Sequence, residues 1–461
     1  MDKLIRFLDV IDRTYSGPLV DEEEFDLKYV AGGVQRVLQK YDIKFNKDNI
    51  IQQDDALIDR AFEAGLDFLI ECGVYNRSTG RLIKFSREEI AEALRSAPSE
   101  VTIGEGPDAR NFRSRKVEDR LPPQVSGGPI GTPLSENQYV PIMQSYWQEP
   151  ILDLIVPGTL ATTYGRQLRS KSPLEIAASW QEVFFGNEAA ERTGRQGLAR
   201  MCVEMSISDI GHLSSISRGG FKPTDVHVVP MIGEMKTNHE LLNKIAHSIH
   251  QKGVILGFYN PILGGLAGPE EGVAILIIAG WIAMHMIYIP DSVESCPTHP
   301  FMFNSTGPQI LRAVSVAAAA FARNTHLLTE FMTSPVSGPG TESLLYECVG
   351  MAVVASVCGA SRILGVRSAV GVVENHCSGL ETRFNGEIAH AAAGMSREQA
   401  DQIVKLALSK YLPLLETKPI GLAFEKVYDL DSLHPRKDWM DIFDKVKEEV
   451  SNWGLLTGNV Q

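Results

Sequence analysis

Short apolar runs recur along the chain between residues 153 and 371, and segments long enough to form helices lie between many of them. Runs of this kind, bounded by polar and turn-forming residues, are typical of buried parallel strands. Strands that alternate with helices in this number predict a (β/α)8 barrel, with a doubly wound sheet as the alternative. The runs are DLIVPG from Asp153, RMCVEMS from Arg200, VHVVPM from Val226, GVILGFYNP from Gly253, MIYIPDS from Met286, FMFNSTG from Phe301, HLLTEFM from His326 and ILGVRSAVG from Ile363.

The chain can be divided into three regions that differ in their sequence pattern. Residues 1–150 are predicted to form a mainly helical extension packed on the barrel; Ser86 and Glu89, for example, have the spacing of a capping box. Residues 151–395 are predicted to form the barrel, and residues 396–461 are predicted to be helical again. Between Leu121 and Pro141 the sequence LPPQVSGGPIGTPLSENQYVP is rich in proline and glycine, which indicates a domain boundary or an ordered loop.

The charge balance argues against two classes of partner. The chain has 44 Lys and Arg against 57 Asp and Glu, a formal net charge of −13, and no block of basic residues. Nucleic acids and anionic membranes attract basic surfaces, so we expect a small molecule or another protein as partner. The six cysteines have no regular spacing, which is typical of reduced thiols in the cytoplasm. The N-terminal stretch MDKLIRFLDVIDRTYSG is amphipathic and shows no secretory signal.

One segment, GVAILIIAGWIAMHMIYIP at residues 272–290, is long and apolar enough to resemble a membrane span. The preceding Pro269, Glu270 and Glu271 are typical of a helix start, and His285 lies inside the run. The final MIYIP has the β-branched and aromatic content of a strand. We therefore predict a buried core helix that continues into a buried strand.

In a barrel of this type the functional residues lie at the carboxyl ends of the strands and in the loops that follow. The side chains at the ends of the predicted strands are therefore the candidate site residues. They are Met201, Cys202 and Glu204; His227, Val228 and Glu234; Phe258, Tyr259 and Asn260; Asn304, Ser305 and Thr306; Met332, Thr333 and Ser334; and Glu374, His376 and Cys377.

Six motifs in this order make the chain resemble the archaeal monomethylamine methyltransferases. They are VSGGPIGTPLSE from Val125, SKSPLE from Ser170, GRQGLARM from Gly194, PILGGLAG from Pro261, SGPGTE from Ser337 and GLETRFNGEIAHAAAG from Gly379. Each motif is weak alone, but their order and separations are specific together. The resemblance covers most of the chain and implies a barrel enzyme that passes a methyl group to the cobalt of a separate corrinoid protein. It also implies a homo-oligomer without a permanently bound corrinoid.

The resemblance also shows where this chain departs from the family. In the family the position that matches Met201 holds pyrrolysine, whose electrophilic ring orients the amine. Two family glutamates that contact the amine match Val228 and Phe258, and a family glutamine matches Met332. We expect a relative without pyrrolysine whose pocket has become apolar, and no residue receives a catalytic role. The predicted substrate-binding residues are Met201, Val228, Phe258, Tyr259, Met332 and Glu234.

An apolar pocket disfavours monomethylamine, because a buried ammonium without hydrogen-bond partners costs about 2–7 kcal/mol or more. A quaternary amine makes no N–H hydrogen bonds and leaves as a neutral amine. Aromatic faces such as those of Phe258 and Tyr259 attract such a cation. We therefore favour a quaternary amine, for example a betaine, as the methyl donor.

Two alternatives remain open from the sequence. The first is a zinc-assisted methyltransferase for a methyl sulfide or methoxy compound, with Glu374, His376 and Cys377 as possible ligands, because these residue types bind zinc. The second is a non-catalytic relative that binds a ligand or scaffolds a partner. The motifs around the pocket are retained while its wall has changed in one direction, and this favours altered specificity over loss of function.

Overall fold

A closed barrel of eight parallel strands forms the centre of the molecule in the computed structural model, which describes residues 3–202, 208–217 and 219–456. Each strand pairs with its neighbours in sequence, and the last closes onto the first. This confirms the predicted (β/α)8 fold. The strands are β1 (Gln124–Gly127), β2 (Leu154–Ile155), β3 (Ala199–Cys202), β4 (Val226–Pro230), β5 (Val254–Phe258), β6 (Ser292–Ser295), β7 (Thr329–Met332) and β8 (Arg362–Leu364).

A helix follows every strand of the barrel within the described residues and packs on its outside. These helices span Tyr139–Trp147, Pro173–Thr193, Asp209–Ile216, His239–Gln251, Glu270–Ile287, Pro308–Asn324, Glu342–Val357 and Gly379–Ala391. Side chains alternate between the two faces of each strand. The outward-facing Val229, Tyr259, Val293 and Phe331 belong to the large core between the strands and the helices. The inward-facing residues form a separate cluster inside the barrel.

Helical segments flank the barrel at both chain ends, as the sequence predicts. The N-terminal helices are Lys3–Ser16, Glu22–Glu24, Gly32–Lys40, Asp55–Cys72 and Arg87–Ser96, with a π-helical turn at Phe25–Ala31. The C-terminal helices are Arg397–Tyr411, Phe424–Val427 and Lys437–Asn452. The capping box of Ser86 and Glu89 is present at the start of its helix.

The barrel begins before residue 151, where the sequence analysis placed its N-terminal limit. Strand β1 lies in the segment that was interpreted as a connection, because only Val125 in Gln124–Gly127 is strongly apolar. The predicted strand from Phe301 to Gly307 was wrong: the segment has no strand, and Phe301 and Phe303 are exposed. The strand predicted from Met286 was placed too early, since the helix Glu270–Ile287 covers its first two residues and β6 starts at Ser292. Residues 203–206 of the strand predicted from Arg200 to Ser206, with Glu204 among them, lie outside the described residues.

The helix Glu270–Ile287 is the one described helix that is long and apolar enough to cross a membrane, and it is entirely buried. It packs between the barrel and the N-terminal helix Asp55–Cys72, which explains why it is apolar on every side. Glu270 and Glu271 lie in its first turn. The Nε–H of Arg312, on the next helix, donates to Oε1 of Glu270 at 2.9 Å. This confirms the predicted core helix.

A hairpin closes the amino-terminal end of the barrel. Its strands, Glu100–Ile103 and Arg110–Arg113, pair antiparallel. The turn after Ile103 bonds to the segments that lead into β3 and β4, through Gly104 N–H to the Thr224 carbonyl and Glu105 N–H to the Gly197 carbonyl. Ile103 belongs to the inner cluster. Within the described residues, the hairpin therefore covers the amino-terminal end of the barrel.

Candidate active site

A small cavity, here called the chamber, lies inside the barrel at the carboxyl ends of the strands. Its volume is about 10 Å³, roughly the space of one water molecule. Six of the wall residues lie in the neighbouring strands β3 to β8, and two lie in the loops after β1 and β2. The eight residues are Ile130, Val156, Met201, Val228, Phe258, Glu294, Met332 and Leu364.

The alternation of side chains along the strands explains this set. Pro230, Phe258 and Glu294 lie side by side in the register of β4, β5 and β6, and Met332 lies beside Leu364 in β7 and β8. In each of these strands the wall residue belongs to the inward-facing set, while its sequence neighbour faces the helices. The chamber is therefore a layer of the barrel interior rather than a surface cleft.

The structure brings together four of the predicted substrate-binding residues. Met201, Val228 and Met332 are buried, and Phe258 is half-buried. All four side chains line the chamber, as expected if they share one cavity at the strand ends. Their part in binding a substrate stays a prediction.

Tyr259 does not line the chamber, contrary to the prediction. It follows Phe258 directly, so its side chain leaves the strand on the opposite face. Its ring packs against the helix Glu270–Ile287, where a Cβ atom on Gly280 would lie 2.2 Å from a ring carbon. Burial raises the pKa of its hydroxyl well above the usual value. Tyr259 is thus a packing residue between the barrel and the shell of helices.

Glu234 also lies outside the chamber wall. It sits in the loop after β4 and is buried, and the backbone N–H of Ile262 donates to its Oε1 at 3.3 Å. Burial raises the pKa of this carboxyl. Glu234 therefore joins two loops at the mouth of the barrel, and the structure gives it no contact with the chamber.

The three possible zinc ligands do not converge. Glu374 is exposed, His376 is half-buried with Nδ1 at 2.8 Å from the Glu374 carbonyl oxygen, and Cys377 is buried. Burial, with the Glu381 carboxylate nearby, raises the pKa of the Cys377 thiol, which disfavours the thiolate that zinc requires. No group of three or more His, Cys, Asp or Glu residues in the described part of the chain has the arrangement of a metal site. The geometry therefore does not support the predicted zinc set.

Sequence reasoning missed four of the eight chamber residues, and Glu294 is the charged one among them; the other three are Ile130, Val156 and Leu364. The Glu294 side chain is 1% exposed and lines the chamber among seven apolar residues. The signal was the short sequence SVES, in which polar residues alternate with an apolar one. Because the strand was predicted from Met286 and lies at Ser292–Ser295, the inward position of Glu294 could not be recognised.

A second carboxylate, that of Glu330, lies beside Glu294 in the register of β6 and β7. Both oxygens of Glu330 accept hydrogen bonds from Arg362 on β8, at 2.7 and 2.9 Å, and both side chains are fully buried. The guanidinium also lies 4.3 Å from the ring centroid of Phe112 in the closing hairpin. The lower barrel interior therefore holds a bidentate ion pair, the geometry in which such pairs are strongest.

Comparison with known proteins gives one consistent result. The model of the family described as monomethylamine methyltransferase MtmB matches residues 5–455. The chain is 31% identical to monomethylamine methyltransferase MtmB2 of Methanosarcina acetivorans and 30% identical to MtmB1 of Methanosarcina barkeri, over 97% of this chain and 98% of each relative. Crystal structures of Methanosarcina barkeri MtmB and of a hydroxylamine complex of MtmB are each 30% identical over 97% of this chain and 98% of theirs, with a TM-score of 0.94.

Proposed function

The chain belongs to the monomethylamine methyltransferase MtmB family, and we propose that it transfers a methyl group from a quaternary amine to the reduced cobalt of a corrinoid protein without pyrrolysine. The observation that carries the proposal is the chamber. Met201, Val228, Phe258 and Met332, the four positions at which the family resemblance implies that polar residues have been replaced, line a single cavity. A change at one position is ordinary divergence, whereas four changes around one cavity indicate a changed ligand.

The chemistry of the donor supports a quaternary amine over monomethylamine. The reduced cobalt of the partner attacks the methyl carbon, the C–N bond breaks, and its electron pair stays on nitrogen, so that a neutral tertiary amine leaves. No proton has to move, and no imine-forming group is required. The tasks left to the protein are to hold the methyl group in line with the cobalt and to exclude water, which apolar walls perform.

The size of the chamber sets a condition on this proposal. A trimethylammonium group needs far more space than the 10 Å³ present, so side chains must move when the donor binds. Met201 and Met332 have unbranched side chains with three rotatable bonds, which adapt readily to a new neighbour. We expect these two side chains to swing towards the mouth and open the chamber.

A panel of methyl donors tests the proposal. The purified chain is mixed with a corrinoid protein in the Co(I) state and with a betaine, other quaternary amines, monomethylamine, methyl sulfides or methoxy compounds. The spectrum of methyl-Co(III) is then followed. We expect it to appear with a quaternary amine and not with monomethylamine. Turnover of monomethylamine contradicts the proposed specificity, chelator-sensitive turnover of a sulfide or methoxy donor favours the zinc alternative, and no turnover of any donor favours a non-catalytic relative.

Two matched variants make the test specific to the chamber. Met332→Gln is nearly isosteric and places an amide in the wall, so we expect at least a tenfold loss of turnover with a quaternary amine. Met440→Gln makes the same chemical change at a half-buried position on the C-terminal helix Lys437–Asn452 and is expected to leave turnover unchanged. Mass spectrometry of the protein from its source must also find methionine at residue 201.

The mouth of the barrel is the proposed docking face for the corrinoid protein. Large apolar side chains are exposed in the loops after the strands, among them Ile262 after β5, Phe301 after β6, where 76% of the residue is exposed, and Val372 after β8. Exposed apolar residues near a site mark protein interaction surfaces. We expect Phe301→Ser to raise the KM for the corrinoid protein, while Phe184→Ser, at an exposed position on an outer helix, has no effect. Equal effects of both changes contradict this assignment.

Three further properties accompany the proposed function. We propose that the corrinoid belongs to the partner, so the isolated chain is colourless. We propose a homo-oligomer, which light scattering contradicts if it finds only the 50.7 kDa monomer. We also propose a cytoplasmic location, in line with the five cysteines whose side chains the structure describes, all of which are unpaired and buried.

A further inference from the structure

Arg367 lies at the mouth of the barrel, in the loop that follows β8 and shortly after Leu364 of the chamber wall. Its side chain is half-buried, and its Nε–H donates to the carbonyl oxygen of Ile130, another wall residue, at 3.3 Å. Among the described residues the guanidinium makes no other hydrogen bond and no ion pair, although it carries several more N–H donors. A positive charge with donors available to a ligand therefore lies at the rim of the chamber.

The surroundings of Cys296 indicate on which side of the rim this charge lies. Cys296 follows β6 directly and belongs to the inner cluster of the barrel. Burial raises the pKa of its thiol to about 12, and the nearby charge of Arg367 acts in the opposite direction. The guanidinium is thus close to the segments that follow β1, β6 and β8, inside the ring of loops rather than on the outer surface.

The loop after β8 bends tightly around this arginine. Ala369 and Val370 have positive φ angles of 49° and 48°, a conformation that is uncommon outside glycine and rarer still for a β-branched residue. Gly371 follows with a φ of 65°, and a Cβ atom there would lie 2.5 Å from Nε of Arg367. The N–H groups of Ala369 and Val370 donate to carbonyl oxygens in the loop after β7, at 2.8 and 2.9 Å. A strained backbone, which costs free energy, therefore holds the side chain in place.

We propose that Arg367 binds the carboxylate of the methyl donor and thereby selects a betaine, a quaternary amine that carries a carboxylate, over quaternary amines without one. The inference rests on the proposed function and narrows the substrate class of the same site. The methylated nitrogen enters the chamber, and the carboxylate stays at the rim. A guanidinium and a carboxylate match in shape and form two parallel hydrogen bonds.

Docking of the corrinoid protein gives this pairing an energetic reason. Under the proposed function the partner covers the mouth and removes water from Arg367. A charge that loses its water without gaining a counter-ion is costly, whereas a charge that is paired and hydrogen-bonded costs much less. The carboxylate of a betaine supplies the counter-ion. Tetramethylammonium or choline leaves the guanidinium without one, so the partner should dock more readily on a chamber that holds a betaine.

The reaction predicts which kinetic constant depends on Arg367. When glycine betaine is the donor, the C–N bond to one methyl group breaks, its electron pair stays on nitrogen, and N,N-dimethylglycine leaves. The carboxylate takes no part in these bond changes, so Arg367 holds the donor equally in the ground state and in the transition state. An interaction of this kind appears in KM. We expect Arg367→Gln to raise the KM for glycine betaine about 10- to 100-fold, with kcat changed by less than about threefold.

Binding measurements test the inference without turnover. Isothermal titration calorimetry on the full chain compares glycine betaine with choline, which has the same trimethylammonium head group and a hydroxyl group in place of the carboxylate. The original protein is expected to bind glycine betaine at least about tenfold more tightly than choline. Arg367→Gln is expected to bind the two ligands equally and to keep its affinity for choline. Arg367→Lys, which keeps the charge, is expected to keep part of the preference.

Arg110→Gln is the matched control. Arg110 is another half-buried arginine, in the hairpin at the opposite end of the barrel, where its Nε–H donates to Oδ1 of Asp153 at 3.1 Å. The same positive charge is removed, but at the end of the barrel away from the mouth. This variant is expected to keep the full preference for glycine betaine. If it loses the preference as Arg367→Gln does, the net charge of the protein controls binding and the assignment of Arg367 is wrong.

The outcomes separate this inference from the proposed function. If the original protein binds glycine betaine no better than choline, or binds neither, the inference is overturned. If Arg367→Gln weakens both ligands equally, the residue only shapes the loop, and the inference is again overturned. If the original protein and Arg367→Gln demethylate choline and glycine betaine equally well, the inference fails and the proposed function stands. If glycine betaine binds through Arg367 but no methyl group reaches a competent corrinoid protein, the proposed function fails and the carboxylate site stands.

Discussion

Two carboxylates on adjacent strands, Glu330 and Glu294, occupy different environments inside one barrel. Glu330 is held by both oxygens to Arg362, over the ring of Phe112, in the lower interior. Glu294 lines the chamber above it, among apolar side chains. The lower carboxylate has its cation built into the chain. The upper one belongs to the wall of the chamber.

The lower interior and the chamber are expected to contribute to different properties, the first to stability and the second to function. A bidentate pair that is fully buried depends on both partners, since removing one leaves the other charged in a medium that solvates it poorly. An acid that faces a cavity contributes to the binding of whatever fills that cavity. The lower interior should therefore govern folding and the chamber should govern donor choice.

The largest expected effect is on folding, from Arg362→Met. This change leaves the Glu330 carboxylate buried without its guanidinium and should lower the free energy of unfolding by about 3–5 kcal/mol, measured by urea denaturation. The double variant Arg362→Met with Glu330→Leu should recover most of the loss. Arg192→Met removes a half-exposed helical pair with Glu188 and should cost less than about 0.5 kcal/mol. A similar loss in both single variants would break the comparison.

Met332→Ala should affect both stability and donor choice. Truncation of this buried side chain should cost about 2–5 kcal/mol, and it should also widen the chamber and admit bulkier donors. Met351→Ala, in the main core on the helix Glu342–Val357, should cost a similar amount without any change in the donor range. Denaturation and the donor panel measure the two effects. A shift in donor range with Met351→Ala would mean that general loosening of the protein controls specificity.

Glu149 extends the comparison to a carboxyl group outside the barrel. Burial raises its pKa to about 7, and the charge of Arg383 offsets this only in part. The folded pKa lies above the unfolded value of about 4.3. The stability that the protonated group contributes is therefore fully present below about pH 4.3 and is lost as pH rises through about 7. Stability should fall between pH 5 and pH 8 by about 1–3 kcal/mol from this group, and Glu149→Gln should flatten that part of the profile. An unchanged profile in the variant would assign the pH dependence to other groups.

The smallest expected effect comes from the adjacent aromatic residues of β5 and the loop after it. Phe258→Leu removes a ring from the chamber and should raise the KM for a quaternary amine about 2- to 30-fold, the equivalent of about 0.5–2 kcal/mol. Tyr259→Phe changes a ring that packs against Gly280 and should leave KM unchanged. Steady-state kinetics of the two variants decide between them. An effect of Tyr259→Phe on KM equal to that of Phe258→Leu would contradict the assignment of opposite faces.

The sequence predicted the two most apolar strands, whereas it missed the polar first strand and placed the polar sixth strand too early. Val226–Pro230 and Val254–Phe258 are almost wholly apolar and lie where the sequence analysis placed them. The first strand, Gln124–Gly127, has polar residues facing the barrel interior, so hydrophobicity did not mark it. The opposite error occurred at Phe301, where an apolar segment lies exposed at the mouth. In these two places hydrophobicity and burial do not coincide, since Gln124–Gly127 is mostly buried although it is polar, and Phe301 and Phe303 are exposed although they are apolar.

The positions of four candidate residues around one cavity could be predicted where the strands were placed correctly, and their part in binding a substrate stays a prediction. Met201, Val228, Phe258 and Met332 follow from the family motifs and from the alternation of strand side chains, and the structure places them around one cavity. Tyr259 follows Phe258 directly, and the alternation of strand side chains places its ring against Gly280 and outside the chamber wall. Glu294 was missed because its strand was placed too early along the chain. Polar residues of a barrel interior follow no hydrophobic pattern, so only the register between strands reveals them.

The hairpin Glu100–Ile103 and Arg110–Arg113, which seals the amino-terminal end of the barrel, has a consequence for the sequence of events in a catalytic cycle. In the described residues this hairpin covers the end of the barrel opposite the chamber, so under the proposed function we expect the donor and the cobalt to use the same opening. The donor has to arrive first, and the corrinoid protein then covers it. The demethylated amine cannot leave until the corrinoid protein has dissociated. Partner dissociation, rather than methyl transfer, would then set the upper limit on the turnover rate.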